Sequence, residues 1–396
     1  MKSPALLGVS AAAALLLTCT LAAQQPAPRV FELNPAAVAK AKAHPSPELL
    51  TLAKQEADKA LKVPVVPITA KKQTPPSGDK RDYLSMGTYW WPNPDTPNHL
   101  PYVRHDGLHN PEAKDILDHE NLDHMQKAVH ALALEYYLTG DERYAARAVE
   151  HLHAWFITPA TAMHPSLQYA QYIAGVNEGR GAGILDARML PQVIDAEGLL
   201  ASSKDWTATD RATFHKWFAD YYLWLTTSKN GHDEDKAPNN HGSWFQEQII
   251  PIALYLGKTD DARARLERVR DERIPSQIDA EGMQKFEMVR TQSFSYSAMN
   301  LDALTTTAVL GERVGIDLYQ PAKPGAPTIL TAVDALMPYD PQHKWPHEQI
   351  SANRENSLCP ALFHVAAHTK AAKYADALKR FQCEPTASTM IEALGN

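Results

Sequence analysis

Little in this 396-residue chain points to a metal, a nucleotide or a nucleic acid. Seventeen histidines are present, yet no His-Glu-x-x-His pattern occurs. His151 and His153 fall on different helix faces, and His119 and His124 are five apart, so no ligand set of defined geometry can be drawn. The acidic loop His232-Asp233-Glu234-Asp235 would attract a cation only weakly. No metal and no cofactor are expected. The glycines of Asn177-Glu178-Gly179-Arg180-Gly181-Ala182-Gly183 follow no strand, so they do not make a nucleotide loop. They suit close approach of backbone to a ligand or a neighbouring helix. A net charge of −7 lacks the basic footprint of a nucleic-acid binder and offers a polyanion no long-range attraction. Low-complexity tracts and a fixed-period repeat are absent as well.

Cysteine is scarce: Cys19, Cys359 and Cys383 are the full set. The one long apolar run lies at the start. Met1 to Ala23 has Lys2, an Ala/Leu-rich core and small residues before Gln24, the pattern of a secretory signal. The run is short for a membrane span and is followed by the polar, Pro-rich Gln24-Gln25-Pro26-Ala27-Pro28. The expected mature protein, 24–396, is therefore periplasmic or secreted and carries no membrane segment. In an oxidising compartment Cys359 and Cys383 either pair or remain two half-buried thiols.

Helical periodicity dominates the mature chain, and its length fits one large domain. Helices are expected at Pro35–Ala43, Pro47–Leu61, Glu120–Thr139, Glu142–Phe156, Ile184–Ala201 and Thr207–Thr227. Further ones are expected at Asn240–Leu256, Lys258–Glu272, Ala298–Val314, Pro327–Leu336 and Ser351–Ala375. At Leu138-Thr139-Gly140-Asp141 and again at Leu256-Gly257-Lys258-Thr259-Asp260, a Gly closes one helix and Asp or Thr caps the next. Antiparallel pairs with short turns curve into an all-α barrel of α/α type or stack into a linear array; the array would carry a repeat, and none is found.

Two stretches carry candidate chemistry. Ala237-Pro238-Asn239-Asn240-His241-Gly242-Ser243-Trp244 sets stop-and-cap residues, two amides and an imidazole where a helix should begin. A helix N-terminus suits an anion, and Asn239, Asn240 and His241 add donors there. Downstream, Met288-Val289-Arg290-Thr291-Gln292-Ser293-Phe294-Ser295-Tyr296-Ser297 supplies a permanent cation, Arg290, and a phenol, Tyr296. Amide, imidazole, guanidinium and phenol together can hold a carboxylate and move a proton beside it.

With the block Tyr83-Leu84-Ser85-Met86-Gly87-Thr88-Tyr89-Trp90-Trp91-Pro92 and its continuation through Arg104, Asp106 and Glu112, these residues resemble the alginate lyase family of polysaccharide lyases. The resemblance runs from about Tyr83 to Leu304 and implies an α/α toroid and an acidic polysaccharide substrate. It also implies β-elimination, with His and Tyr sharing the proton transfers. One departure marks a side branch: the family's Ala-Tyr-His-Asn-Tyr segment after Arg is here Thr291-Gln292-Ser293-Phe294-Ser295-Tyr296, with a single Tyr.

The long stretch from Val63 to Pro111 is rich in Pro and aromatics, and so long a loop is usually functional. Tyr89, Trp90 and Trp91 offer flat rings to sugar faces, and Arg104 suits a uronate carboxylate. One Trp is expected to be buried and the other to lie near substrate. Gln168, Tyr169, Glu178 and Arg180 are further candidate binding residues, although Glu178 and Arg180 equally fit a structural ion pair.

Removing the C5 proton of a uronate requires its carboxylate charge to be neutralised first. Arg290, Asn240 and His241 fit that task. Tyr296, its phenol pulled down by neighbouring Arg and His, fits the base at C5 and then the acid at O4. The expected substrate is mannuronate-rich alginate or glucuronan. Two other classes compete. A glycoside hydrolase would need a carboxylate pair, with Asp106, Glu112, Glu178 and Glu247 as candidates. A non-catalytic glycan-binding protein would need no poised phenol.

Overall fold

The structure is a computed structural model in which residues 27–351 and 357–395 are described. The expected signal, 1–23, lies outside the described residues.

The described chain is mainly helical. Its first half carries α1 (Pro35–Ala43), α2 (Pro47–Ala60), α3 (Asp118–Thr139), α4 (Glu142–Leu152), α5 (Leu190–Leu199), α6 (Ala208–Thr227) and α7 (Lys229–Asp235). Then come α8 (Asn240–Tyr255), α9 (Thr259–Arg268), α10 (Ile274–Gln277), α11 (Ser293–Arg313), α12 (Ile329–Leu336), α13 (Cys359–Thr369), α14 (Ala372–Arg380) and α15 (Ala387–Glu392). Local chemistry sets many boundaries. Asn34 Oδ1 accepts from the N–H groups of Ala36 and Ala37 ahead of Pro35, and Thr207 and Asp210 form a reciprocal capping box. Gly140, at φ +76°, ends α3 in the left-handed region.

The long N-terminal stretch is held by two small strand pairs. Strand β1 (Leu84–Met86) runs parallel to β4 (Tyr169–Tyr172), with Leu84 opposite Tyr169. Strands β2 (Trp90–Trp91) and β3 (Val103–Arg104) are antiparallel, with Trp90 opposite Arg104. A small apolar cluster of Leu84, Met86 and Ile116, with Tyr102, Tyr169 and Tyr172 against it, sits apart from the main core.

α8 is buried nearly all round and packs against α11. Behind it, Phe156, Phe214, Trp217, Phe218 and Tyr255 form a contiguous aromatic core. The C-terminal end of α8 leaves carbonyls without helical partners. The segment before α1 answers this. The Arg29 guanidinium donates to the Tyr255 carbonyl, and Arg313 donates to the carbonyls of Val30 (3.1 Å) and Glu32 (2.9 Å). Asp195 of α5 accepts from the N–H groups of Phe31 and Leu33. A Cβ on Gly198 would lie 1.9 Å from the Arg29 carbonyl oxygen, so only glycine lets this segment pass. At the chain's other end, α15 packs on α1 and α2.

Several expectations need correction. The acidic stretch at 232–235 belongs to helix α7, begun by Ser228, whose hydroxyl accepts from Gly231 N–H. α11 starts five residues earlier than expected, at Ser293. Its first N–H groups are satisfied by residues distant in sequence: Ser293 donates to the Glu348 carbonyl (3.0 Å), and Phe294 to Gln349 Oε1 (3.1 Å). The expected Ile184–Ala201 helix opens as a 3-10 stretch, Gly181–Ala187, before α5. In place of one helix over Ser351–Ala375 stand α13 and α14, separated at Lys370, where φ is +53°. Cys359 and Cys383 form a disulfide, with Cα atoms 5.5 Å apart.

Candidate active site

The start of α8 is built differently from the expectation. Asn239 is the residue before the helix, but its side chain makes no capping bond. A carboxylate from elsewhere takes that role: Glu287 accepts from Asn240 N–H at 2.6 Å and from Asn240 Nδ2 at 2.8 Å. The anion place at this helix end is thus filled by the protein itself, and Asn240 is fully buried. Burial raises the Glu287 pKa, and the Asn240 bonds together with the charges of Arg290 and His241 oppose that rise. Arg273 clamps the turn from α7, donating to the carbonyls of Ala237 (2.9 Å) and Asp235 (3.0 Å). A Cβ on Gly242 would fall 2.1 Å from the Ala237 oxygen and against that guanidinium, which explains the glycine after His241.

His241 turns its Nδ1 to Glu234 Oε1 of α7 at 2.7 Å. Glu234 is buried, so the contact fixes the ring. With Nδ1 carrying the proton toward that carboxylate, Nε2 is the nitrogen left with a lone pair.

Arg290 lies beside Glu287 in sequence and in space: its N–H donates to the Glu287 carbonyl at 3.0 Å. Its guanidinium stacks on the Tyr296 ring, 3.6 Å from the centroid, and binds Asp106 through Nε (3.1 Å) and Nη2 (2.7 Å). Asp106 also accepts from Thr291 N–H (3.2 Å) and from the exposed Arg104 at 2.5 Å. Burial alone would raise Asp106; the Arg290 and Thr291 bonds and both guanidinium charges outweigh it and lower the carboxyl to about 2. The Tyr296 hydroxyl is 2.5 Å from that of Tyr89, whose ring meets His109 edge-on at 5.1 Å.

The expected lowering of the Tyr296 phenol is corrected. Burial pushes it upward, the neighbouring Tyr89 adds to that, and the Arg290 cation opposes without prevailing. Tyr296 is a protonated phenol at neutral pH.

The other candidates divide. Tyr89 joins the centre directly. Arg180 binds the carbonyl (3.1 Å) and Oε1 (2.8 Å) of Gln171 and lies within electrostatic reach of Glu234 and Arg104; burial lowers its pKa. Gln171 holds a left-handed φ of +48° while also donating to Asp186 at 2.8 Å, which fixes the cation's perch. Glu178 is exposed, and the Arg180 guanidinium is bound to Gln171 instead, so the structural-pair reading fails. Gln168 is exposed, and its carbonyl accepts a long bond from Asn230 Nδ2 (3.4 Å). Tyr169 belongs to β4 and to the small apolar cluster. Neither Trp90 nor Trp91 is buried: both are partly exposed, with Trp91 Nε1 donating to the Leu108 carbonyl at 3.0 Å.

Sequence reading missed Glu287, took Glu234 for part of a weakly cation-attracting loop, and saw Asp106 only within the family block and as a hydrolase candidate. These three acids hold His241, Asn240 and Arg290 in place. One signal was available: Glu287 stands three residues before Arg290. The hydrolase pair does not form. Asp106 is bound by guanidinium groups, Glu112 accepts from Tyr102 (2.7 Å), Glu178 is exposed and Glu247 lies in the interior beside Glu32. Among the described residues no group of His, Cys, Asp or Glu stands where it could hold a metal ion, and no helix is long and apolar enough to cross a membrane.

A helical protein with an amide, an imidazole, a guanidinium and a phenol gathered at the starts of two packed helices fits the class of polysaccharide lyases. The alginate lyase family model matches residues 67–345, and the chain belongs to that family. A crystal structure of an alginate lyase from Bacteroides ovatus is similar over 93% of this chain and 99% of its own, at 34% identity and a TM-score of 0.86. Alginate lyase A1-III, in a histidine variant complexed with tetrasaccharide, shares the fold at 18% identity. That match has a TM-score of 0.57 and covers 88% of this chain and 90% of the other. A tyrosine variant of A1-III, also complexed with tetrasaccharide, gives 16% identity and a TM-score of 0.53 over the same shares. No curated protein sequence matches the chain. The protein is a polysaccharide lyase.

Proposed function

We propose that the protein cleaves a polyuronate, mannuronate-rich alginate or glucuronan, by β-elimination at the site of Asn240, His241, Arg290 and Tyr296. The observation that carries this reading is Glu287. It holds Asn240 by two bonds and lies within electrostatic reach of both His241 and Arg290, while Arg290 lies on the Tyr296 ring. Glu287, Glu234 and Asp106 fix Asn240, His241 and Arg290 before substrate arrives, which is what stabilising a developing dianion requires. Arg290 and Asn240 neutralise the carboxylate, and Tyr296 delivers a proton to the departing O4. Tyr89, Trp90, Trp91, Arg104 and Arg180 line the approach and bind flanking sugars.

For mannuronate or glucuronate, the C5 proton and O4 lie on one side of the ring, so one phenol reaches both at about 3 Å. The Arg290 cation, stacked on the Tyr296 ring, supports a transient phenolate. A second reading makes His241 the base, favoured by the raised Tyr296 and by the Glu234 contact that leaves Nε2 free. That route reaches the C5 proton from the other face and would open guluronate. Polymannuronate, polyglucuronate and polyguluronate, followed by the conjugated product's absorbance near about 235 nm, separate the two. Cleavage of the first two with little action on the third is expected. A preference for polyguluronate, abolished in His241→Ala, would replace the one-phenol route, and a panel without any absorbing product would remove the uronate reading.

The fold we infer is a closed α/α toroid in a single domain, 24–396, supported by the contact of α15 with α1 and α2. Export is supported by the Cys359–Cys383 disulfide, which suits an oxidising compartment. A mature N-terminus near Gln24 in the periplasmic fraction or the medium is expected; an intact Met1 or a lipid on Cys19 overturns it.

A further inference from the structure

An acid cluster that the lyase reading leaves unused lies in the protein's interior. A cavity of about 690 Å³ opens among α2, α3, α5, α8, α11, α13 and α15, and no residue of the Asn240–Tyr296 site lines it. Leu33, Ala60, Val63, Ala128 and Met189 give it apolar walls. Its depth holds Glu32, Glu247, Asp302 and Glu392 against the cations Arg188 and His364.

Among the described residues, only one of those acids has a partner of opposite charge at bonding distance. His364 Nδ1 meets Glu392 Oε1 at 2.7 Å. The Arg188 guanidinium lies over the Trp244 ring, 5.6 Å from its centroid. Glu32 and Glu247 face each other carboxyl to carboxyl, a contact that needs a proton between them. Oε2 of Glu247, on a residue 2% exposed, meets no N–H donor among the described residues, nor does Oε1 of Glu32. Arg313 and Asp195, behind the wall, offset one another and are committed to backbone groups of residues 30–33. Among these inner groups carboxyls therefore outnumber cations four to two. Uncompensated buried acids are costly, and burial raises Glu247 well above the carboxylate range and Glu32 to about 7.

We propose that this cavity is a second binding site, separate from the polyuronate site, that takes a small linear aliphatic diamine. Its two ammonium groups match the surplus of two carboxyls, and its methylene chain matches the apolar walls. The indole face of Trp244 adds a surface that favours cations. A bare metal ion fits less well, because the described residues offer no ligand set for one. The rim carries Lys59, Glu56 and Lys127, the last paired with Asp123 at 2.9 Å, so the rim is close to neutral.

The test is calorimetric titration of the purified protein with 1,4-diaminobutane at low salt, beside 1,4-butanediol as its neutral counterpart and calcium chloride as a simple dication. Saturable binding of one diamine per chain with a rise in Tm is expected, with neither control reproducing it. The paired substitutions Glu32→Gln and Glu247→Gln should weaken binding at least about tenfold, since they remove the charge–charge contacts. Ala131→Phe, which fills the cavity and leaves every carboxyl in place, should weaken it as much, and it keeps the test open if the glutamine variants fold poorly. Equal binding of the diol, no diamine binding, or unchanged binding in Ala131→Phe each overturns the proposal. Polyuronate turnover is not the readout, so either result leaves the lyase reading where it stands.

Discussion

The protein keeps two sets of buried or half-buried acids, and it treats them in opposite ways. At the proposed lyase site each acid has a donor: Glu287 holds Asn240, Glu234 holds His241, and Asp106 holds Arg290. In the interior, Glu32 and Glu247 face each other, and no N–H donor among the described residues meets Glu32 Oε1 or Glu247 Oε2. Paired acids act as struts, fixing the angle of a functional group and moderating its charge. Unpaired acids store an electrostatic deficit that a proton or a ligand must meet. The contrast separates positioning chemistry from binding capacity within one helical body.

Substitution can break this comparison, starting with the largest effect on turnover. Tyr296→Phe and Arg290→Ala should fold and still bind polymer, and each should lower kcat by about 10³-fold, the loss typical of a transition-state donor. Full turnover in either folded variant, measured on the substrate identified by the panel, would refute the site. Struts come next. Glu287→Ala and Glu234→Ala should each cost about 10- to 100-fold in kcat with a smaller change in KM, because Asn240 and His241 remain but lose their orientation. Glu287→Gln, which keeps an acceptor for one Asn240 bond, should recover part of that loss. A strut variant whose loss lies wholly in KM would mean that the acid shapes sugar binding instead.

Interior acids should leave turnover alone and change the pH dependence of stability. Glu32, held at about 7 by burial, keeps its proton in the folded protein at pH values where the unfolded chain has released it. Its stabilising contribution is complete below the ordinary carboxyl range and is lost as pH rises through about 7. Wild-type stability should therefore fall across that window, and Glu32→Gln should flatten the fall by about 3 kcal/mol. A variant whose Tm still follows the wild-type curve would show that the pair carries no such deficit. The smallest effect on turnover belongs to Cys383→Ser. Opening the Cys359–Cys383 loop should cost about 3 kcal/mol of stability by the chain-entropy argument and nothing in kcat. A loss of rate there would couple α13 and α14 to the site.

Legibility in the sequence followed the range of the interactions. Helix starts set by neighbours, as at Asn34-Pro35, Ser46-Pro47 and Thr207, were readable, because the cap and the orphan N–H lie within three residues. The start of α11 was not, because Glu348 and Gln349 satisfy its N–H groups from 55 residues away. The acid stretch of α7 read as a loop because its helix is short and its purpose is a contact with His241.

By itself the sequence determined the helical class, the four residue types of the candidate site and their order along the chain, since periodicity and side-chain chemistry are local properties. Only the tertiary structure decided which acid sits on which donor. It turned Glu287 to the start of α8, left Tyr296 protonated by burying it, and set Glu32 against Glu247. Each of those outcomes depends on distances between segments far apart in the chain and on the loss of water around them, and both exist only once the helices have packed.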